Sequence, residues 1–412
     1  MQNDHGFIMV ILCFMHMEAD TNILERDEIM TGSNDANPKM IYLNNAATSW
    51  PKPDCVSQAV AEAINGLPGN ANRGGLKARD DVWECRSYLS DLMRIENPSR
   101  ISLGANATYA LNEAIGGFPF QKGDVVLTTL AEHNAVLRPL YRLEKQGLIQ
   151  TVFVPVEEDG RVNTSTWWEY LDRYQPRLTV FSHASNVTGA VNDAQTLARL
   201  AKEKGAAVLL DAAQTLGLVP VYPAQWNIDF VAFTGHKYLL GPQGTGGLYV
   251  SPEQTLEPVY VGGTGIFSDQ EEMPAEMPLH LEAGTPNEHS FAGLAAALRW
   301  RKEHPLDLTM LQARTEETAE RLQKAGASVV MVRGERTPVI TFMVPGWEPS
   351  DVGDILLDSY DIICRTGLHC APKILSCIGA PALGTIRISL SRFTTEEELD
   401  TLISAIEDIL HD

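Results

Sequence analysis

The sequence predicts an α/β protein built on a mainly parallel sheet, with a smaller α+β domain at its C-terminal end. Three observations carry this. Between about residues 100 and 250, the apolar runs "DVVLTTL" (124–130), "RLTVFSHAS" (177–185), "AAVLLDAAQ" (206–214) and "IDFVAFTGHK" (228–237) read as buried strands. Among them, "DAQTLARLAKEKG" (193–205) sets Ala194, Leu197, Ala198 and Ala201 on one helix face and stops at a glycine. Strand, helix and strand at this spacing mean parallel pairing through crossover helices. After about 290 the composition changes. Helix-forming "FAGLAAALRWRKEH" (291–304), placed to bridge two domains, precedes strand-like "TPVITFMV" (337–344) and "GTIRISLS" (384–391). A last helix opens with Thr395 and Glu398 as a capping box and presents Leu399, Leu402, Ile403 and Ile406 as its apolar face. The predicted division is an N-terminal extension (1–39), a large domain (40–290) whose first residues pack on the small one, and a small domain (291–412).

The chain has 412 residues, 44% hydrophobic and 21% charged, the balance of a soluble globular protein. A formal net charge of −21 argues against nucleic acid or an anionic membrane as the main partner. Cysteines at 13, 55, 85, 364, 370 and 377 form no C-x-x-C pair, which points to a reducing compartment, the cytoplasm, without structural disulfides. The apolar run "FIMVILCFM" (7–15) is too short to span a bilayer, and no lysine or arginine precedes it. It reads as part of a disordered extension. Met30 and Met40 are both candidate starts, and strand-like text begins directly after Met40.

In parallel sheets, ligands sit beyond the carboxyl ends of the strands. There the predicted strands deliver "AEHN", "HASN", "DAAQ" and "TGHK". The stretch "FTGHKYLLGPQGTGG" (233–247) invites a nucleotide-loop reading, which fails. A P-loop needs its lysine directly after the last glycine, and Gly244 and Gly246 are followed by Tyr249 where a dinucleotide loop needs glycine. Asp211, Gln214, His236 and Lys237 together suit another cofactor. A carboxylate for a ring nitrogen, an imine-forming lysine and a phosphate-holding turn are what pyridoxal phosphate requires.

At these residues the sequence resembles class V (NifS-like) aminotransferase-fold enzymes, and among them the SUF-type cysteine desulfurases. The resemblance runs from about Met40 to the C-terminus. It rests on "YLNNAAT" (42–48), "AEHNA" (131–135), "SNVTGA" (185–190), "DAAQT" (211–215), "FTGHK" (233–237), "EAGTPN" (282–287) and "RTGLHCAP" (365–372), specific as an ordered set. It implies a fold-type I pyridoxal-phosphate transferase acting as a homodimer. Lys237 is implied to form the imine with the cofactor, which requires an unprotonated amine. Asp211 would pair with the protonated pyridine nitrogen, His133 would stack on the ring and move protons, and Gln214 would bond the phenolic oxygen. Asn186 would approach a cofactor oxygen or the substrate carboxylate.

The resemblance assigns the phosphate to Thr108, Thr234 and His236, with Thr108 at the start of a helix whose dipole favours an anion. The family often pairs two threonines at this turn, whereas here Ala107 precedes Thr108. Thr285 is similar to the residue that reaches the phosphate of the neighbouring subunit. Arg387 would hold the substrate carboxylate by a two-pronged bond, and Arg365 is similar to a substrate-side arginine. In the segment matching "NRGGLKA" (72–78) the family tends to have a histidine, where this chain has Leu76.

The segment "CRTGLHCAPKILSC" (364–377) also contains His369, but its cysteine spacings do not fit a zinc knuckle, and no metal is predicted. The resemblance selects Cys370 as nucleophile and leaves Cys364 and Cys377 as packing residues. The implied reaction converts L-cysteine to L-alanine, with a persulfide on Cys370 passed to a sulfur-acceptor protein, as in iron–sulfur cluster assembly. The alternative is a selenocysteine lyase or another class V lyase or aminotransferase. A thiol in "GLHCAP" favours the desulfurase.

Overall fold

The computed structural model describes residues 40–66 and 80–411, so the expectations placed on 1–39 and on Leu76 lie outside the described residues. After a two-residue strand β1 (Ile41–Tyr42), seven strands share one sheet: β2 (Ile101–Gly104), β3 (Asp124–Thr129), β4 (Ile149–Val154), β5 (Leu178–Ser182), β6 (Ala207–Asp211), β7 (Phe230–Thr234) and β8 (Gly246–Val250). Their order is β2-β8-β7-β6-β5-β3-β4. β8 runs antiparallel to both β7 and β2, and the remaining pairs are parallel. The expected mainly parallel sheet is borne out.

The sequence explains why β5, β6 and β7 sit at the centre. "LTVFS", "AVLLD" and "FVAFT" are buried at every position, the near-continuous apolar runs of strands covered on both faces. Each ends on a polar residue, Ser182, Asp211 or Thr234. Helices α1 (Asp54–Asn65), α2 (Asp81–Met93), α3 (Ala107–Gly117), α4 (Asn134–Lys145), α5 (Thr164–Tyr174), α6 (Ala194–Glu203), α7 (Pro223–Trp226) and α8 (Glu288–Glu303) complete this part. One core sets Leu89, Trp167, Leu197 and Leu294 against Phe181, Leu210 and Phe233. The other sets Leu111, Val136 and Leu140 against Val180, Leu209 and Phe230. Burying each such side chain stabilises the fold by on the order of 2 kcal/mol. The predicted crossover helix is α6. Asp193 caps it by accepting from the Thr196 N–H at 3.0 Å, and Gly205 turns the chain out of it at φ +75°.

Beyond α8 come α9 (Leu308–Ala325), β9 (Ser328–Val329), β10 (Val339–Met343), α10 (Pro349–Tyr360), β11 (Ile362–Ile363), β12 (Arg365–Gly367), β13 (Thr385–Ser389) and α11 (Glu396–His411). An antiparallel sheet in the order β12-β13-β10-β9 packs on these helices through Ile340, Phe342, Leu356, Ile388, Leu402 and Ile406. The capping box forms as read. Thr395 N–H donates to Glu398 Oε2 at 2.9 Å, and Glu398 N–H donates to Thr395 Oγ1 at 3.3 Å.

Two contacts join the parts. β1 pairs in parallel with β11, and Ser389 N–H donates to Leu43 O at 2.7 Å, which leads residues 44–48 across the ends of the large sheet. α8 buries Phe291, Leu294, Ala295 and Leu298 in the core of the large sheet, while its end stacks Trp300 near Phe393.

Candidate active site

At the carboxyl ends of the central strands lies a cavity of about 280 Å³. Thr108, His133, Asn186, Asp211, Gln214, Thr234, His236, Lys237, Arg365, Cys370 and Arg387 all line it. Thr285 does not. It is exposed in the loop before α8.

On the large-sheet side, Asp211 ends β6 and its Oδ1 accepts from the Ala213 N–H at 2.9 Å. Burial pushes this carboxyl up, and the Ala213 N–H and the Lys237 charge draw it back. Lys237 follows β7 by three residues and lines the cavity. Burial lowers its ammonium to about 8, opposed by Asp211 and assisted by the Arg387 and Arg365 charges. His133 caps α4, and its Nδ1 accepts from the Ala135 N–H at 3.0 Å, so the neutral ring carries its proton on Nε2. Burial first, then the Lys237, Arg365, Arg387 and Arg138 charges, lowers this imidazole to about 4. His236 is lowered to about 4 by burial and by the Lys237 and Lys52 charges.

The glycines after Lys237 have a packing reason. A Cβ on Gly246 would lie 2.6 Å from the Asn106 backbone, and one on Gly247 would lie 2.5 Å from the Ser102 carbonyl oxygen. Without side chains there, β8 closes on the start of α3, which Asn106 caps by accepting from the Tyr109 N–H at 3.0 Å. Thr108 lies in that first turn, beside the cavity.

The opposite wall comes from the antiparallel sheet and the segment after β12. Arg387, in β13, donates from Nη1 to Asn186 O at 2.8 Å and from Nη2 to Asn44 Oδ1 at 3.1 Å. Asn186 Nδ2 donates to His369 O at 2.8 Å, and Cys370 O accepts from the Asn134 N–H at 2.7 Å. Arg365 Nη2 lies 3.4 Å from Cys370 Sγ. His369 and Cys370 both take left-handed backbone angles, φ 50° and 58°. Cys364, half-buried, packs against the small core, away from the cavity lining.

Sequence reasoning assigned no role to Asn44, Ala46 or Glu132, although all three stand in or beside quoted motifs. Asn44 holds Arg387, and Ala46 O accepts from Gln214 Nε2 at 3.0 Å. Their signal was the position of "NNAAT" directly after a strand.

Residues 41–402 match the aminotransferase class-V family. The chain belongs to that family. A probable cysteine desulfurase of Pyrococcus abyssi is 31% identical over 388 residues, spanning 90% of this chain and 94% of the relative. The cysteine desulfurase CsdA of Escherichia coli is 28% identical, over 90% of this chain and 94% of the relative. Among solved structures, the apo cysteine desulfurase of Thermococcus onnurineus NA1 superposes with a TM-score of 0.80 at 29% identity, covering 90% of this chain and 95% of that one. This class V likeness bears out the fold-type I expectation. The cavity fits the cofactor of such enzymes. Gln214 Oε1, His236 Nδ1 and Arg387 Nε are buried polar atoms on its wall with no hydrogen-bond partner among the described residues, beside an amine and a carboxyl of matching use.

Proposed function

We infer that the protein is a pyridoxal-phosphate-dependent cysteine desulfurase, working as a homodimer in the cytoplasm. One observation carries the reading: Cys370 shares a single cavity with Lys237 and Arg387. A transamination needs the lysine and the arginine but no thiol. The relatives described as cysteine desulfurases support the same activity, and the SUF-type assignment rests on "RTGLHCAP".

Bound pyridoxal phosphate supplies an electron sink for the carbanion at the substrate Cα. The chain does the rest. Lys237 anchors the cofactor and, near neutrality, holds or returns a proton. Asp211 would pair with the ring nitrogen through the oxygen that Ala213 leaves free, Gln214 would take the phenolic oxygen, and His133, with its Nε2 proton available, would lie against the ring. Thr108, Thr234 and His236 take the phosphate. Arg387, braced by Asn186 and Asn44, holds the substrate carboxylate, with Asn186 and Arg365 beside it.

The Cys370 thiolate attacks the substrate sulfur, and the carbon–sulfur bond breaks with its electron pair left on the substrate carbon. That carbon takes a proton and leaves as L-alanine. L-cysteine and one thiol thus give L-alanine and one persulfide, and no outside oxidant is needed. An acceptor protein then removes the outer sulfur, which suits supply to iron–sulfur cluster assembly.

Exposed Tyr260, Val261 and Phe267 offer apolar surface for a second copy, and Thr285 is exposed to reach that copy's phosphate. A start of the small domain after α8 is supported by the packing of Phe291, Leu294, Ala295 and Leu298 in the large core. Among the described residues, no helix is long and apolar enough to cross a membrane.

The test incubates purified protein with L-cysteine or L-selenocysteine and quantifies alanine against pyruvate. Cys370→Ala should abolish sulfur release from L-cysteine, retain the visible absorbance and keep part of the selenocysteine activity, since selenolate leaves more readily. Wild-type turnover of L-cysteine by that variant would make the protein a lyase or aminotransferase.

A further inference from the structure

Glu132 stands directly before His133, and only 1% of it is exposed. Its Oε1 accepts from the Thr129 hydroxyl at 2.6 Å and the Ser182 N–H at 3.1 Å, and its Oε2 accepts from the Ser182 hydroxyl at 2.7 Å. The Thr129 oxygen itself accepts from the Ala131 N–H at 3.1 Å, so its own proton is directed at the carboxylate. These donors come from the ends of β3 and β5, and all are neutral. Among the described residues, no lysine or arginine forms an ion pair with Glu132. A buried carboxyl held only by neutral groups is costly unless it has a positional use.

We propose that Glu132 is a positioning residue, which locks the turn before His133 onto the end of β5 and, through Ser182, shapes the surroundings of Asp211. This rests on the reading of His133 and Asp211 as cofactor-facing groups. Ser182 is the strand partner of Asp211 and donates to Glu132, so the end of β5 lies between two buried carboxyls. Asp211 has the Lys237 charge near it, whereas Glu132 is held by neutral donors. The pair therefore divides its roles: Asp211 keeps the charge and Glu132 is the member that gains or loses its proton near neutrality. Burial accordingly pushes Glu132 up to about 7, against the pull of Thr129 and Ser182 and with a further push from Asp211.

The sign of the pH effect follows. A free glutamate titrates near about 4.3, so the folded chain binds this proton more tightly than the unfolded chain. The stabilisation is full below that value and is lost as pH rises through about 7. Glu132→Gln keeps the size and one acceptor and has no proton to lose. In cofactor-free protein, the Tm of the variant relative to wild type should climb from about pH 5 to about pH 7.5. In holoenzyme above about pH 7, the variant lacks the negative charge that Glu132 carries in the wild type and that favours the protonated form of the visible chromophore. The pH midpoint of that band should then fall by roughly 0.5 unit. Parallel Tm curves, or an unmoved midpoint in a folded variant, overturn the proposal. A wild type with no visible band defeats the cofactor reading instead, and the cofactor-free comparison then decides on Glu132 alone.

Discussion

Asp211 and Cys370 line the same cavity, but the chain holds them in contrasting ways. Asp211 ends a strand buried at every position and flanked by two others of the same kind. Cys370 sits in a turn with two successive left-handed residues, tied down by the contacts of Asn134, Asn186 and Arg365 and by the His369–Thr385 bond at 2.9 Å. Groups that must hold a ring and phosphate in one geometry benefit from the stiff sheet. The thiol that collects sulfur sits instead on a turn outside the sheet, held by contacts from both sides of the cavity. The contrast thus separates holding from carrying.

The largest test of it removes the holding side. Lys237→Ala should lower turnover of L-cysteine by at least about three orders of magnitude, and borohydride reduction of wild-type protein should place the cofactor on Lys237 by peptide mapping. If the halves are independent, alkylation of Cys370 by iodoacetamide should proceed at the wild-type rate in that variant. A cofactor label on another lysine would break the assignment.

A smaller effect is expected at the seam. Arg387 is braced by Asn186 and Asn44, so its forked guanidinium has one orientation. Lysine cannot reproduce that fork. Arg387→Lys should raise KM for L-cysteine by roughly 10- to 100-fold, with a lesser effect on kcat, as steady-state kinetics would show. Unchanged KM would move the carboxylate site elsewhere, with Arg365 the next candidate.

The seam also marks where the sequence stopped being legible. Buried parallel strands read as unbroken apolar runs ending in polar clusters, so Asp211, His236 and Lys237 were visible from local pattern alone. Arg387 and Asn44 are 343 positions apart, and no local pattern pairs them. Phe291, Leu294, Ala295 and Leu298 of α8 join the large-sheet core, and an alanine-rich helix does not announce which core it joins. Glu132 escaped notice since its donors, Thr129 and Ser182, are neutral strand ends and leave no charge pattern.

The pH dependence of cofactor loading gives a graded measure of the holding side. Burial lowers Lys237 to about 8, so its free-amine fraction rises with pH and levels off above that value. Reconstitution of cofactor-free protein with pyridoxal phosphate, followed by absorbance, should quicken by about tenfold per pH unit below the midpoint. A midpoint near the free lysine value of about 10.4 would mean that the amine is not desolvated as its position implies.

The smallest effect concerns the carrying side. A non-glycine residue in the left-handed region costs about 1–2 kcal/mol, because its Cβ crowds the following carbonyl. Cys370 adopts φ 58° next to His369 at φ 50°, so this turn stores strain that no strand end of the cavity carries. His369 is a poor place to relieve it, since its ring is buried and bonded to Thr385 Oγ1. Position 370 is better. Both Cys370→Ala and Cys370→Gly remove the thiol, and they differ chiefly in the Cβ. Glycine gives up some of its advantage to the freedom it adds to the unfolded chain, which leaves Cys370→Gly more stable than Cys370→Ala by about 1 kcal/mol. Denaturant midpoints of the two variants measure the difference. Equal stability would mean that the turn relaxes without strain, and the contrast with the strand ends would then rest on their hydrogen-bond contacts alone.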